Sequence, residues 1–444
     1  MKKIVASVGL VALGASGLHS APIPGLTEEG GKNWSVAATL RGFYDDNINT
    51  APSGRGKQDA FGFEISPSVN YGLKGPQTQL TLGYVYSFKY YDHEPIGNSQ
   101  KYDQQHLINA ALDHSFSERY RISVRDSFAL GQEPDILRAQ NTFTTFQRIS
   151  GDNVRNYGSI NFDAELTRLF GLEIGYDNSY YDYAQSGAQF DDNGLVIPSN
   201  SGLLDRIENG IHLDTRWMFL PETVAVFGYK FRDVSYTADE EIGEELLPGG
   251  IVHFVKSNER DFREHSFYLG AEHTFNPSLT GAFRAGVSYV DYYKALAGDS
   301  SEWGPYALAN LRYTYAPQSY VEVGLSQDFN ATDVTGVRAT SDTDVANTSF
   351  TASQQATVVY GSVNHQITPQ LKGSILGQFQ YSSFTGGAID NLSERYYLLG
   401  LNLAYQITPH FSTEIGYNYD KLDSDINGRT FDRNRVYIGV TGSY

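Results

Sequence analysis

The last twelve residues, RNRVYIGVTGSY (433–444), carry the reading on which the fold depends. Val436, Ile438, Val440 and Tyr444 fall on one parity, and Arg433, Arg435, Tyr437, Gly439, Thr441 and Ser443 fall on the other. A repeat of two is the signature of a half-buried strand, because successive side chains leave opposite faces; a helix would need a repeat of 3.6. The preceding segment behaves the same way. Phe411, Ile415, Tyr417 and Tyr419 alternate with Ser412, Glu414, Gly416, Asn418 and Asp420. Moving outward, Leu80, Leu82, Tyr84, Tyr86 and Phe88 alternate with Gln79, Thr81, Gly83, Ser87 and Lys89, and Leu172, Ile174 and Tyr176 with Glu173, Gly175 and Asp177. One face is apolar with aromatic ends; the other is small, polar or charged.

The connections alternate in length. Eight are tight: Gln366-Ile-Thr-Pro369-Gln-Leu371, Tyr405-Gln-Ile-Thr-Pro409-His-Phe411, Tyr315-Ala-Pro317-Gln-Ser-Tyr320, Phe275-Asn-Pro277-Ser-Leu279, Phe219-Leu-Pro221, and turns at Gly75-Pro76, Ser117-Glu118-Arg119 and Arg168-Leu169-Phe170. Proline presets φ in such turns. Nine are long and polar, near 46–59, 92–102, 132–152, 185–203, 239–260, 294–303, 331–350, 385–393 and 424–431. Together they predict about 18 antiparallel strands in hairpins of 40–50 residues. A soluble propeller has a similar period but buries both faces of its inner strands. Long strands with one persistently polar face fit a transmembrane β-barrel, which must close on itself because lipid cannot satisfy backbone polar groups. The fold class is therefore all-β: a single antiparallel barrel over 34–444, with short periplasmic turns and longer extracellular loops.

Composition narrows the alternatives. The chain has 444 residues, a formal charge of −18, no cysteine, 32 tyrosines and 25 phenylalanines. The acidic balance gives no field for phosphate, which excludes a nucleic-acid partner. Without cysteine there is no disulfide framework and no thiolate metal site. Met1–Ser20 (MKKIVASVGLVALGASGLHS) has a positive start, a short apolar run and a small residue at a cleavage position, and reads as a secretory signal peptide. Residues 21–33 read as a periplasmic lead-in. The expected address is the bacterial outer membrane, with aromatic residues marking both interfaces.

Two resemblances follow. The ending, with Tyr437, Gly439 and Tyr444, is similar to the closing strand of bacterial outer-membrane barrels and departs from it at Gly442. It implies recognition by the barrel assembly machinery. The opening hairpin, Arg41-Gly-Phe-Tyr-Asp-Asp-Asn47 followed by Phe63-Glu-Ile-Ser-Pro-Ser-Val69, together with the 18-strand layout, resembles the putative β-barrel porin-2 family. Members of that family often sit with exopolysaccharide-export genes. The resemblance implies passage of saccharide polymers, with polysaccharide secretion components as partners, and carries over no catalytic residue.

On this parity the lumen receives Arg121, Arg125, Lys230, Arg232, Asp163, Glu165, Glu173, Asp177, Glu208 and Arg216 as the leading pore-lining candidates. Other inward charges include Arg41, Lys372, Asp113, Asp214, Glu264, Glu272, Asp328 and Glu414. An anion-selective pore would carry a one-sided basic ring. Here the signs are balanced in number and segregated by wall, acidic near 160–180 and basic near 121–125 and 230–232. That pattern predicts a transverse field; the alternative is cross-strand ion pairing that rigidifies the wall. Glu133–Ser150, with Ile136, Leu137, Phe143 and Phe146, is the candidate for a loop folded into the lumen, the alternative being a cap over the mouth. The acidic run Asp239, Glu240, Glu241, Glu244 and Glu245 reads as a solvated loop, or as carboxylates bridged by divalent cations to lipopolysaccharide. Asp45, Asp46, Asn47 and Asn49 read as an Asx-rich loop start rather than a calcium loop.

Catalysis is not expected. His212 shares the lumen face with Asp214 and Glu208, away from lipid, and no serine joins a histidine and an acid in a known spacing. No cofactor and no metal is called for. The expected function is passage of polar solutes through a mixed-charge lumen, and the resemblance implies saccharides or an exported polysaccharide as those solutes. The alternative is a non-conducting surface barrel, an adhesin or binding protein acting through its extracellular loops. Loops carrying strands of their own would favour that alternative, and none is expected.

Overall fold

The computed structural model describes residues 33–52, 56–95, 100–131, 152–190, 196–247, 251–294, 301–338, 347–386 and 389–444. The expected signal peptide and nearly all of the lead-in lie outside these residues, as does Glu133–Ser150. Eighteen strands form one sheet: β1 (Trp34–Asp45), β2 (Ala60–Lys74), β3 (Thr78–Tyr91), β4 (Tyr102–Ser115), β5 (Tyr120–Gly131), β6 (Asn153–Glu165), β7 (Phe170–Tyr183), β8 (Arg206–Leu220), β9 (Thr223–Tyr236), β10 (Phe262–Asn276), β11 (Leu279–Asp291), β12 (Ser301–Ala316), β13 (Ser319–Asn330), β14 (Ser353–Gln366), β15 (Leu371–Thr385), β16 (Ser393–Thr408), β17 (Phe411–Ser424) and β18 (Phe431–Ser443). Each pairs antiparallel with its chain neighbour. β1 also pairs with β18, from Ala37 opposite Ser443 to Asp45 opposite Arg435, which closes the barrel. The strand number, the eight tight turns and the nine long connections match the sequence reading.

The tight turns explain themselves. In the two Ile-Thr-Pro turns, Thr368 Oγ1 accepts from the amides of Gln370 and Leu371, at 3.3 and 3.0 Å, and Thr408 Oγ1 from those of His410 and Phe411, at 3.2 and 3.1 Å. Gln366 and Gln406 each donate to the following threonine carbonyl at 2.6 Å. Proline stands where no amide donor is needed. The same sequence builds the same turn twice.

The outward face is apolar and open. Leu269 exposes 63% of its surface and Ile438 61%, as a face meeting acyl chains does and a soluble face rarely does. Trp34, Phe116, Trp217, Tyr315, Tyr405 and Tyr444 ring the periplasmic end; Tyr44, Tyr90, Trp303 and Tyr397 ring the extracellular end. In the doubled aromatics, Tyr90-Tyr91 among them, one ring faces out and its neighbour is buried inside.

At the seam, Arg41 of β1 reaches both Glu64 of β2, at 3.2 Å, and Glu414 of β17, at 2.5 Å. Glu414 lies two strands away, across Gly439 of β18. A Cβ at Gly439 would stand 3.2 Å from the Glu414 carboxylate, so the glycine of the closing motif is the gap over which this ion pair meets. The Asp45 carboxylate is likewise taken by Arg433, with contacts of 2.5–3.1 Å. Asp45 Oδ1 accepts from the Asn47 amide at 3.0 Å, an Asx turn as expected.

Candidate functional site: the lumen and its extracellular cap

All ten leading candidates stand on inward register positions. They do not form opposed charged walls. Arg121 and Arg125 both bind Asp113, at 2.9 and 2.6 Å. Arg216 bridges Glu173, at 2.9 Å, and Glu272, at 2.5 Å, while Arg284 joins Glu272 to Asp214 at 3.3 and 3.0 Å. Lys230 holds Asp328 at 2.6 Å; Arg232 holds Glu264 at 2.6 Å and approaches Glu208, which also takes Arg206 at 2.8 Å. The segregation read from sequence is corrected by the fold: residues distant in the chain become cross-strand neighbours, and the antiparallel ladder brings each basic run against an acidic one.

A smaller asymmetry survives this pairing. Among the described residues, Asp163, Glu165 and Asp177, on β6 and β7, make no ion pair, and neither does Lys372 on β15. β6 and β15 are nine strands apart in a ring of eighteen, so the acidic group and the lysine face one another across the lumen.

The two ends of the lumen differ. Towards the periplasm some side chains are open, Arg121 and Arg312 exposing 40% and 42%, around the packed network of Glu173, Arg216, Glu272, Arg284 and Asp214. Towards the extracellular side they are packed. Glu264, Ser266, Ser288, Gln380 and Ser382 are fully buried. There the inward face turns apolar, contrary to the expectation of a polar face throughout: Val234, Tyr236, Phe262, Val290, Tyr292, Phe329 and Ala331 form one cluster. A second cluster, Val334, Phe384, Ile389 and Ile426, unites three separate loops.

Those loops have structure of their own, against expectation. Hairpins pair Glu241–Leu247 with Ile251–Lys256 and Thr335–Arg338 with Asn347–Phe350; a short pairing joins Gln189–Phe190 to Val196–Ile197. The hairpins of the β9–β10 and β13–β14 loops lie against each other. Buried arginines tie the loops together. Arg260 donates to the Leu203 carbonyl at 3.0 Å and to the Thr332 carbonyl, with its guanidinium 4.4 Å from the Tyr236 ring centre. Arg429 binds Glu394 at 2.6 Å and Asp333 at 3.2 Å. The acidic run is partly consumed here too: Glu240 accepts from Ser199 Oγ at 2.5 Å and from the Gly187 amide at 2.9 Å. Sequence reasoning missed Arg260, Asp333 and Arg429, because loops carry no periodicity to reveal which way a side chain points. Among the described residues, those converging over the mouth come from 331–334 and 425–430; the candidate segment Glu133–Ser150 lies outside the described residues.

Asp205, at the end of the short helix Asn200–Leu204, accepts from the Tyr183 amide at 2.7 Å and from Ser201 Oγ at 2.5 Å. Burial, with Asp182 and Glu240 nearby, pushes its carboxyl up to about 6 against those two donors.

A closed eighteen-strand barrel with a lipid-facing apolar belt, aromatic girdles and a charge-lined interior is an outer-membrane β-barrel of the porin-like channel class. Residues 255–444, which hold β10–β18, match the model of the Putative beta-barrel porin 2 family. The match lies in the other half of the chain from the hairpin that carried the resemblance. No curated protein matches the chain. Among solved structures, the chain is similar to OpdK from Pseudomonas aeruginosa crystallised with vanillate, at 11% identity and a TM-score of 0.44, over 93% of this chain and 99% of that one. A BenF-like porin from Pseudomonas fluorescens Pf-5, at 12% and 0.43, and OccAB4 from Acinetobacter baumannii, at 13% and 0.42, have the same coverage.

Proposed function

We propose that this barrel passes neutral or internally compensated polar solutes, with saccharides as the substrate class, and that its extracellular cap gates the passage. The observation that carries this reading is the pairing of the lumen charges. A wall whose arginines are nearly all occupied by carboxylates offers no one-sided ring to select an ion. What it does offer is dense hydrogen-bonding capacity: Asn161, Ser123, Asn310, Asn402 and Gln378 face inward beside the ion pairs. Sugar hydroxyls are donors and acceptors at once and suit such a lining.

The testing experiment is single-channel conductance in a planar bilayer, paired with liposome swelling in neutral sugars and in charged solutes of similar size. The reading expects low conductance from the intact protein, large steps when 335–350 is deleted, and faster swelling in sugars than in charged solutes. Equal uptake of both solute classes through the deleted form sinks the saccharide assignment.

A second reading, a non-conducting surface barrel that binds a partner through its loops, is favoured by the hairpins and the apolar clusters of the cap. Silence of both forms, with folding verified by heat-modifiable migration, selects it.

A further inference from the structure

The wall of the barrel is split on its extracellular side between β12 and β13. Their ladder runs from Ala316 opposite Ser319 up to Ala307 opposite Gln327 and ends there, although β12 reaches Ser301 and β13 reaches Asn330. On their other sides both strands stay paired, β12 with β11 as far as Ser301 and β13 with β14 as far as Asn330. Pro305 accounts for the split. The Thr314 amide donates to the Ser278 carbonyl on the β11 side, so the even-numbered amides of β12 face β11 and the odd-numbered ones face β13. The rung after Ala307 would need an amide on residue 305, and proline has none.

Phe329, which that rung would have engaged, is satisfied elsewhere. Its amide donates to Asp328 Oδ1 at 3.0 Å, and its carbonyl accepts from Arg232 Nη2 of β9. Lys230, also of β9, holds Asp328 at 2.6 Å. β9 and β13 are four strands apart in the sheet, so these contacts put the end of β13 inside the lumen, behind the wall. Phe329 shares the parity of lipid-facing Val323 and yet is fully buried, among Val234, Tyr236, Phe262, Val290 and Tyr292 of the inner wall. Its ring lies 2.6 Å from where a Cβ on Gly304 would stand, so it fits behind β12 only because residue 304 is glycine. The chain then stays inside: Ala331 joins the same cluster, and the Thr332 carbonyl accepts from Arg260. The β13 side of β12 from Ser301 to Pro305 is left without a strand partner, and an open edge is a template for one.

We propose that this edge is a second seat for the chain's own Phe329–Asp333, and that the segment moves between lumen and wall to close and open the channel. The proposal rests on the channel reading and names its moving part. Continuing the register seats Asn330 opposite Gly304, Thr332 opposite Glu302 and Asp333 opposite Ser301. Pro305 denies the wall seat one hydrogen bond, while Lys230, Arg232 and Arg260 hold the lumen seat, so the balance favours closure.

The chain has no cysteine, so paired cysteines report cleanly. Glu302→Cys and Thr332→Cys face each other in the wall seat as a non-hydrogen-bonded pair, with Cα atoms about 4.5 Å apart and within disulfide reach. Leu308→Cys with Ser326→Cys, already opposite each other in the ladder, is the control. Oxidation is expected to form both bridges, the first more slowly. The 302–332 bridge should raise single-channel conductance several-fold, and reductant should reverse the rise; the 308–326 bridge should leave conductance unchanged. Adding Pro305→Val, which restores the missing donor, should speed the 302–332 bridge about fivefold, as one regained hydrogen bond does. Absence of the 302–332 bridge where 308–326 forms would overturn the proposal, and so would a rate indifferent to Pro305→Val. A 302–332 bridge with no gain in conductance, when the form lacking 335–350 conducts, overturns the gate and spares the channel reading. Silence of that form as well overturns both.

Discussion

The two halves of the lumen are built from the same strands yet obey different rules. In the periplasmic half, the pairs of Arg121, Arg125 and Arg312 line an interior that stays partly open beside one packed network; in the extracellular half, similar pairs lie beneath apolar clusters and converging loops. The difference is one of accessible solvent. An exposed pair is worth ~0–1 kcal/mol, whereas taking one partner from a buried pair costs about 3–5 kcal/mol because the other charge is left stranded. The lower half can therefore lose a charge and keep its shape where its pairs are open, as at Arg121, Arg125 and Arg312, though not in the buried network of Glu173, Arg216, Glu272, Arg284 and Asp214, while the cap depends on a few cations.

The cap is the sharpest place to break that contrast. Arg429 is the shared cation of Glu394 and Asp333, whose side chains expose only 1% and 10%. Arg429→Ala leaves two carboxylates together with no counter-charge, a cost of about 4 kcal/mol. The expected result is release of 331–338, read as faster proteolysis there and a several-fold rise in single-channel conductance. Unchanged cleavage and conductance would show that the apolar cluster around Val334 holds the loop unaided.

The barrel seam should respond next. Arg41→Ala strands Glu64 and Glu414 where β1 meets its neighbours and is expected to lower unfolding stability by about 3 kcal/mol. The check is the urea midpoint of the heat-modifiable band. Asp113→Asn, in the open half, should move that midpoint by less than ~1 kcal/mol although it removes the partner of two arginines. A larger shift from Asp113 than from Arg41 would reverse the comparison.

A weaker effect concerns the surviving asymmetry. Lys372→Glu places a negative charge opposite Asp163 and Glu165 in the open half. Cation preference should rise, read as a shift of a few millivolts in reversal potential under a salt gradient, larger at low ionic strength. The same measurement on Arg121→Glu and Arg125→Glu should also move toward cations. No shift from any of the three would place the ion path elsewhere.

Legibility followed the same division. The strand number, the tight turns and the inward parity of all ten lumen candidates follow from period two alone, because a strand's side-chain direction is a local property. Which charges pair is not local. Arg121 meets Asp113 eight residues away, but Arg41 meets Glu414 across the closing seam, and only the register supplies that contact. The cap was illegible for another reason: Arg260 and Arg429 sit in connections with no repeat to assign them a face.

The smallest expected effect tests whether the cap responds to pH. Asp205 has its folded value raised to about 6 from an ordinary 3.8, chiefly by burial, so the folded cap favours the protonated carboxyl. That contribution is fully present below the ordinary value and is lost as pH rises through about 6. The cap should then be tighter in acid and looser above neutrality, with about a twofold change in the open fraction between pH 5 and pH 7.5. Asp205→Asn removes the titration while keeping an acceptor for the Tyr183 amide, so its open fraction should be flat across that range. A wild-type profile that is already flat, or that opens in acid, would remove Asp205 from the balance and leave Arg260 and Arg429 as the determinants of closure.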